Sequence, residues 1–158
     1  MPQHIGIVAC SAEGAALCYR TVLPESPLPW LHIAEVVAQE AAAQGFRRLG
    51  ITGTRWLVDS EVYPRKLAER GLAWRRPTAA ERDETDRIIM EQLVRGVFRP
   101  EAVATFQRVI GRMKDDGCDA VILGCTEIPP IIDDSNAALP TLDSTRLLAR
   151  AALRRAVG

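Results

Sequence analysis

"CDAVILGCTEIPP", Cys118 to Pro130, is the stretch on which the reading of the fold turns. Its first half, CDAVILG, is a short apolar run closed by a glycine. A run of that length with no polar face suits a strand buried on both sides of a parallel sheet. Upstream lies PEAVATFQRVIGRMKDDG, a helix opened by Pro100, because proline fits the first helical position. Downstream, IPPIIDDSNAA reads as a short helical turn and then loop, LPTL as a last short strand, and DSTRLLARAALRRAVG as the final helix.

The same alternation continues outward. WLHIAEVVAQEAAAQG reads as a helix stopped by Gly45, and RRLGIT, Arg47 to Thr52, as a strand,. GTRWLVDSEVYPRKLAERG reads as a loop leading into one helix that ends near Gly71, and LAWRR as a strand. TAAERDETDRIIMEQLVRG is a helix that Thr78 is placed to start. At the N-terminus HIGIVAC, His4 to Cys10, predicts another buried strand, Ser11 caps a helix over AEGAALCYRTVL, and PESPLP, Pro24 to Pro29, is a linker,. Strands alternating with helices predict an α/β protein with a parallel sheet and right-handed crossovers. Chemistry in such sheets collects at the carboxyl ends of the strands. Three polar clusters fall there: Cys10 to Gly14, Thr52 to Trp56, and Gly124 to Glu127.

Composition narrows the function classes. The 158 residues, 47% apolar and 25% charged, suffice for a packed core,. A formal net charge of zero lacks the basic excess of nucleic-acid and anionic-membrane binders, so neither partner is expected,. No run approaches a membrane span, and MPQHIGIVACSAEG lacks the basic start and long apolar stretch of a signal peptide,. A cytoplasmic location is the expectation. The four cysteines, Cys10, Cys18, Cys118 and Cys125, show no C-x-x-C spacing, and with two histidines no metal cluster is expected,.

Cys125 is placed where a strand ends and a helical turn begins. Gly124 lets the backbone approach a ligand, and free amides there attract a carboxylate or thiolate. Such a position predicts a thiol pKa below the free value of ~8.5. Thr126 offers a hydroxyl to a carboxylate or amine, and Glu127 a carboxylate to a substrate ammonium or to the loop itself. The other reading is a packed strand-end cysteine beside a cap threonine. In the loop after RRLGIT, Thr52, Thr54 and Ser60 carry hydroxyls at or beyond a strand end, and Arg55 is placed to face an acid. A capped helix entrance with solvated Arg55 and Asp59 explains the same residues. His32 is read as a packed or capping residue, and Cys18 and Cys118 as packing residues. Ser11, Thr54, Ser60 and Thr126 are expected to line one cleft with Cys125.

With these residues in hand, the chain resembles the aspartate/glutamate racemase family. VILGCTEIPPII is similar to that family's second cysteine motif, and Gly-Cys-Thr-Glu is its most specific part. The segment from PLPWLHIAEVV to VYPRKL resembles the approach to and body of its second domain, and LPTLDSTRLLARAA its closing strand and helix. IGIVACSAEGAALCYR resembles its first strand, loop and helix, with fewer glycines than usual.

The resemblance implies a fold of two similar α/β parallel-sheet domains enclosing the substrate. Here the second domain, 30–140, would be complete. Residues 1–29 would be a remnant of the first, reduced to one strand plus helices, with 141–158 returning to it. It also implies isomerase chemistry without a cofactor: one thiolate removes the α-proton of an amino acid and an opposed thiol returns a proton to the other face. Cys125 matches the second cysteine, with Ser11, Thr54, Ser60, Thr126 and Glu127 as substrate-binding candidates. The family's first cysteine lies in a Pro-Cys-Asn-Thr type motif that this sequence does not contain. Cys10, at another strand end, is the possible second thiol. Three activities therefore stand: a racemase acting on a small amino acid, a single-cysteine malonate-type decarboxylase, and a non-catalytic domain that binds a small carboxylate. A homo-oligomer is expected, since one strand from the first domain needs cover on both faces.

Overall fold

A computed structural model describes residues 31–157, beginning with helix α1 (Ile33–Ala43). Its buried stripe is Ala34, Val37, Ala38 and Ala41, the spacing that puts side chains on one helical face,. The helix stops as the sequence indicates. The Phe46 amide donates to the Ala41 carbonyl, the Gly45 amide to Ala42, and Gly45 takes φ +82°, the left-handed turn that glycine adopts without strain.

The chain then builds strand β1 (Arg48–Thr52), helices α2 (Arg55–Asp59) and α3 (Val62–Ala68), strand β2 (Ala73–Arg75) and helix α4 (Ala79–Glu91). A 3-10 turn (Leu93–Arg95), helix α5 (Pro100–Asp115), strand β3 (Ala120–Leu123), strand β4 (Thr141–Asp143) and helix α6 (Ser144–Val157) complete it. Two expectations need adjustment. The single helix anticipated before Gly71 is two, broken where the Ser60 hydroxyl donates to the Leu57 carbonyl and accepts from the Val62 amide. The helical turn anticipated at Cys125 is not a helix start. Pro129 and Pro130 have no amide to donate, and Ile128 makes a single 3.3 Å bond back to the Cys125 carbonyl,. The strand and helix expected over His4 to the linker, and with them Cys10, Ser11 and Cys18, lie outside the described residues.

Among the described residues the four strands are parallel, in the order β2-β1-β3-β4. The alternation of β3 sets both cores. Val121 and Leu123 pack with Ile89, Phe106, Val109 and Ile110 of α4 and α5. Ala120 and Ile122 pack with Leu49, Ile51, Leu67 and the apolar stripe of α1. Successive strand residues face opposite sides, so a strand apolar throughout must be covered on both. β4 pairs with β3 in this same sheet and is its edge among the described residues, and α6 packs against α1.

α4 starts on a capping box. The Thr78 hydroxyl accepts from the Glu81 amide, and the Glu81 carboxylate accepts from the Thr78 amide at 2.9 Å,. Buried Glu81 also pairs with Arg112 of α5 at 3.0 Å, which ties the two helices of that layer together.

Candidate active site at the carboxyl ends of β1 and β3

The register places Thr52 beside Leu123. The loops that begin at Gly53 and Gly124 therefore leave the sheet side by side, and the Gly124 amide donates to the Thr52 carbonyl at 3.0 Å. The end of β3 is held from both neighbouring strands. The buried Thr52 hydroxyl donates to the Ile122 carbonyl at 2.7 Å. The buried Ser144 hydroxyl, just past β4, donates to the Leu123 carbonyl at 2.8 Å. Behind them the Tyr63 ring lies 3.5 Å from where a β-carbon on Gly124 would sit. Its hydroxyl approaches Ser144 without closing a full hydrogen bond, and burial raises its pKa.

Cys125 follows directly and is half-buried against the α4/α5 core. Its thiol donates to the Glu127 carboxylate at 2.7 Å. The thiol pKa is not lowered, contrary to the sequence expectation. Burial first, and then the hydrogen bond to Glu127, push it up from an ordinary 9 to about 11. The physical reason is local: no helix starts here to stabilise a thiolate, and a carboxylate sits where one would form. Glu127 responds in the opposite sense, its pKa lowered by the Cys125 thiol and then by the Thr126 side chain. Thr126 itself is exposed.

The other expected site residues are placed less directly. Thr54, half-buried, immediately precedes α2, and its side chain makes no capping bond. The Ser60 hydroxyl is engaged in the backbone break between α2 and α3. Arg55 is committed to α4: its guanidinium pairs with Asp83 at 2.7 Å, and its amide donates to Asp86 at 2.8 Å. Asp59 likewise pairs with Arg82. Arg55 and Asp59 are thus ion-paired with α4 and not simply solvated, as the structural alternative for this loop has them. Cys118 is buried in the core before β3, so the four residues of that strand, at about 3.3 Å each, separate it from Cys125,. Among the described residues no group of three His, Cys, Asp or Glu stands close enough to hold a metal ion, and no helix is long and apolar enough to cross a membrane.

Sequence reasoning missed Ser144 and Tyr63 as supports of the thiol loop. The one available signal was the serine that follows the last strand in "TLDS".

The raised thiol pKa has a consequence for stability. Below about pH 9 the folded and unfolded chains both hold the Cys125 proton, and the contribution is complete. As pH rises toward 11 the unfolded chain releases it first, and that stability is lost,. Urea unfolding at pH 8 and pH 10.5 should therefore show a larger alkaline loss for the parent than for Cys125→Ser. Equal losses would show that the thiol is not held as described.

A family model described as Asp/Glu/Hydantoin racemase matches residues 5–152. A glutamate racemase of Thermus thermophilus is 31% identical over 153 residues, covering 94% of this chain and 53% of that protein. The chain thus spans about half the length of the curated relatives it matches. The solved structure of an aspartate racemase homologue from Pyrococcus horikoshii is 29% identical, with a TM-score of 0.81, covering 90% of this chain and 62% of that one. Aspartate racemase of Picrophilus torridus, 23% identical with a TM-score of 0.66, covers 85% of this chain and 57% of its own and shares the fold.

Proposed function

The chain belongs to the Asp/Glu/hydantoin racemase family, and from that premise we propose that it exchanges the α-proton of a small amino acid through the Cys125 thiol, without a cofactor. The observation that carries this reading is the thiol at the carboxyl end of β3, half-buried and hydrogen-bonded to the carboxylate two residues on.

In the proposed step the Cys125 thiolate takes the α-proton. The C–H bond breaks, an S–H bond forms, and the electron pair stays on the α-carbon beside the substrate carboxylate. In this reading Thr126 and Thr54 bind that carboxylate and Glu127 the ammonium; Ser60 and Ser11 are further candidates. A half-buried site strengthens such contacts. Inversion needs a second acid on the opposite face. Cys118 lies beyond the other end of β3, and in this reading Cys10 or a thiol of a second copy in a homo-oligomer is the candidate second donor.

The two demands separate experimentally. Incubation with L-aspartate or L-glutamate in D₂O should place deuterium at the α-carbon. Deuterium with inversion indicates two working thiols, and deuterium with retention one. No incorporation from either amino acid, with carbon dioxide released from malonates instead, would replace this reading by the single-thiol decarboxylase.

A further inference from the structure

The proposed step needs a thiolate, yet the Cys125 sulfur lies 2.7 Å from a Glu127 carboxylate oxygen as its hydrogen-bond donor, and burial and that carboxylate oppose ionisation. Among the described residues, the groups that lower the Glu127 pKa are the Cys125 thiol, the Thr126 side chain and a backbone amide, with no cation among them. Among the described residues no cation acts on Cys125 either. Burial and Glu127 oppose its ionisation, and backbone hydrogen bonds at Glu127 and Thr126 favour it. The core against which the thiol packs, including Phe106 and Ile110 of α5 and Leu123 of β3, is apolar. Elsewhere Glu81 is met by Arg112, Asp116 by Arg75 and Asp143 by Arg146, whereas Asp134 is met by the amide and hydroxyl of Thr141 and Asp119 by the amides of Arg47 and Arg48. A half-buried carboxylate that the described residues supply with a thiol and no cation is a place where an incoming ammonium group gains much.

We propose that Glu127 gates the Cys125 thiol: its carboxylate holds the thiol proton until the α-ammonium group of an amino acid takes that carboxylate over and releases the thiol to ionise. The inference rests on the proposed function and deepens it by naming the feature of the substrate that switches the site on. The charges balance. Before binding there is one negative charge, on Glu127. Once the ammonium pairs with Glu127, the S–H bond can break with its electron pair left on sulfur and the proton passed to water. The ammonium then lies between two negative groups. The resulting thiolate takes the α-proton and becomes a thiol again. A dicarboxylate that lacks the ammonium brings only more negative charge, and it leaves the thiol protonated. The gate therefore selects amino acids over malonate- or succinate-like acids at the step of thiol activation.

The test follows thiolate absorbance near 240 nm during an alkaline titration. Subtracting Cys125→Ser isolates Cys125 from the other three cysteines. Glu127→Gln should lower the apparent Cys125 pKa from about 11 by about one unit or more, while Glu127→Asp, which keeps the charge, stays nearer the parent. Circular dichroism checks that each variant is folded. Saturating L-aspartate should lower the parent value and succinate should not, and the difference should vanish in Glu127→Gln. An unchanged titration in Glu127→Gln overturns the gate, as does a response to succinate equal to that of L-aspartate or no response to L-aspartate and L-glutamate. Deuterium exchange reports independently on the proposed function. Exchange without a gated titration removes the gate alone, and a gated titration without exchange removes the racemase reading.

Discussion

Cys125→Ser is expected to lower α-deuterium exchange by roughly 10²–10⁴-fold, the range supplied by a positioned acid or base. The substitution changes one atom. Serine keeps the shape of the side chain and a hydroxyl that can still donate to Glu127. What it removes is a group whose proton affinity lies close enough to the working pH to trade protons. Even pushed up to about 11, a thiol remains a far better base precursor than an alcohol. The fold should barely register the change, because the side chain is half-buried at the margin of the α4/α5 core. Unfolding at pH 7 should shift by no more than about 1 kcal/mol. The measurement is proton NMR of the substrate α-position in D₂O, parent against variant, with urea unfolding in parallel. Exchange retained at the parent rate would move the chemistry to another residue. Lost exchange with a collapsed fold would be resolved by Cys125→Ala, which removes the thiol without adding a polar atom.

What the sequence discloses and what it hides divide along the range of the interactions. The buried strand at Ala120–Leu123 is legible because its neighbours in sequence are apolar on both faces. The start of α4 is legible because Thr78 and Glu81 stand three apart and need nothing else. The edge strand Ala73–Arg75 is exposed throughout, and it is recognisable mainly from its place between two helices. The thiol pKa is a different kind of quantity. Its direction depends on whether a helix starts after Gly124 and on where Glu127 turns. Motif residues name the participants without their geometry, and burial of the thiol together with its 2.7 Å contact to Glu127 reverses the expected sign. Ser144 and Tyr63 are hidden for a related reason: each reaches the thiol loop across a sheet neighbour or from another layer, and no local spacing announces that. Arg55 shows the converse. A lone arginine in a site-like loop invites a substrate, but α4 supplies Asp83 and Asp86 to it from about thirty residues away.

Gly124→Ala is expected to cost about 1–3 kcal/mol of stability and to lower α-proton exchange roughly 10²-fold, although the residue takes no part in the chemistry. A β-carbon at this position would stand 2.3 Å from Leu57 Cδ2 and 2.6 Å from the Thr52 carbonyl oxygen. The leucine methyl can rotate away. The oxygen cannot, because it belongs to β1 and accepts the Gly124 amide itself at 3.0 Å. Relief must come from the Gly124 backbone moving off β1, and Cys125 moves with it. The Thr52 and Ser144 hydroxyls meanwhile hold the preceding carbonyls of β3 in place. The displacement is therefore concentrated in the thiol loop, and an error of about 1 Å in a reacting group is enough for the predicted loss. Two variants distinguish the backbone clash from the side-chain clash. Adding Leu57→Ala to Gly124→Ala frees the methyl contact and leaves the carbonyl contact, so exchange should remain low. Recovery to near the parent rate in the double variant would mean that the leucine was the obstacle and that the approach of β3 to β1 does not set the position of the thiol.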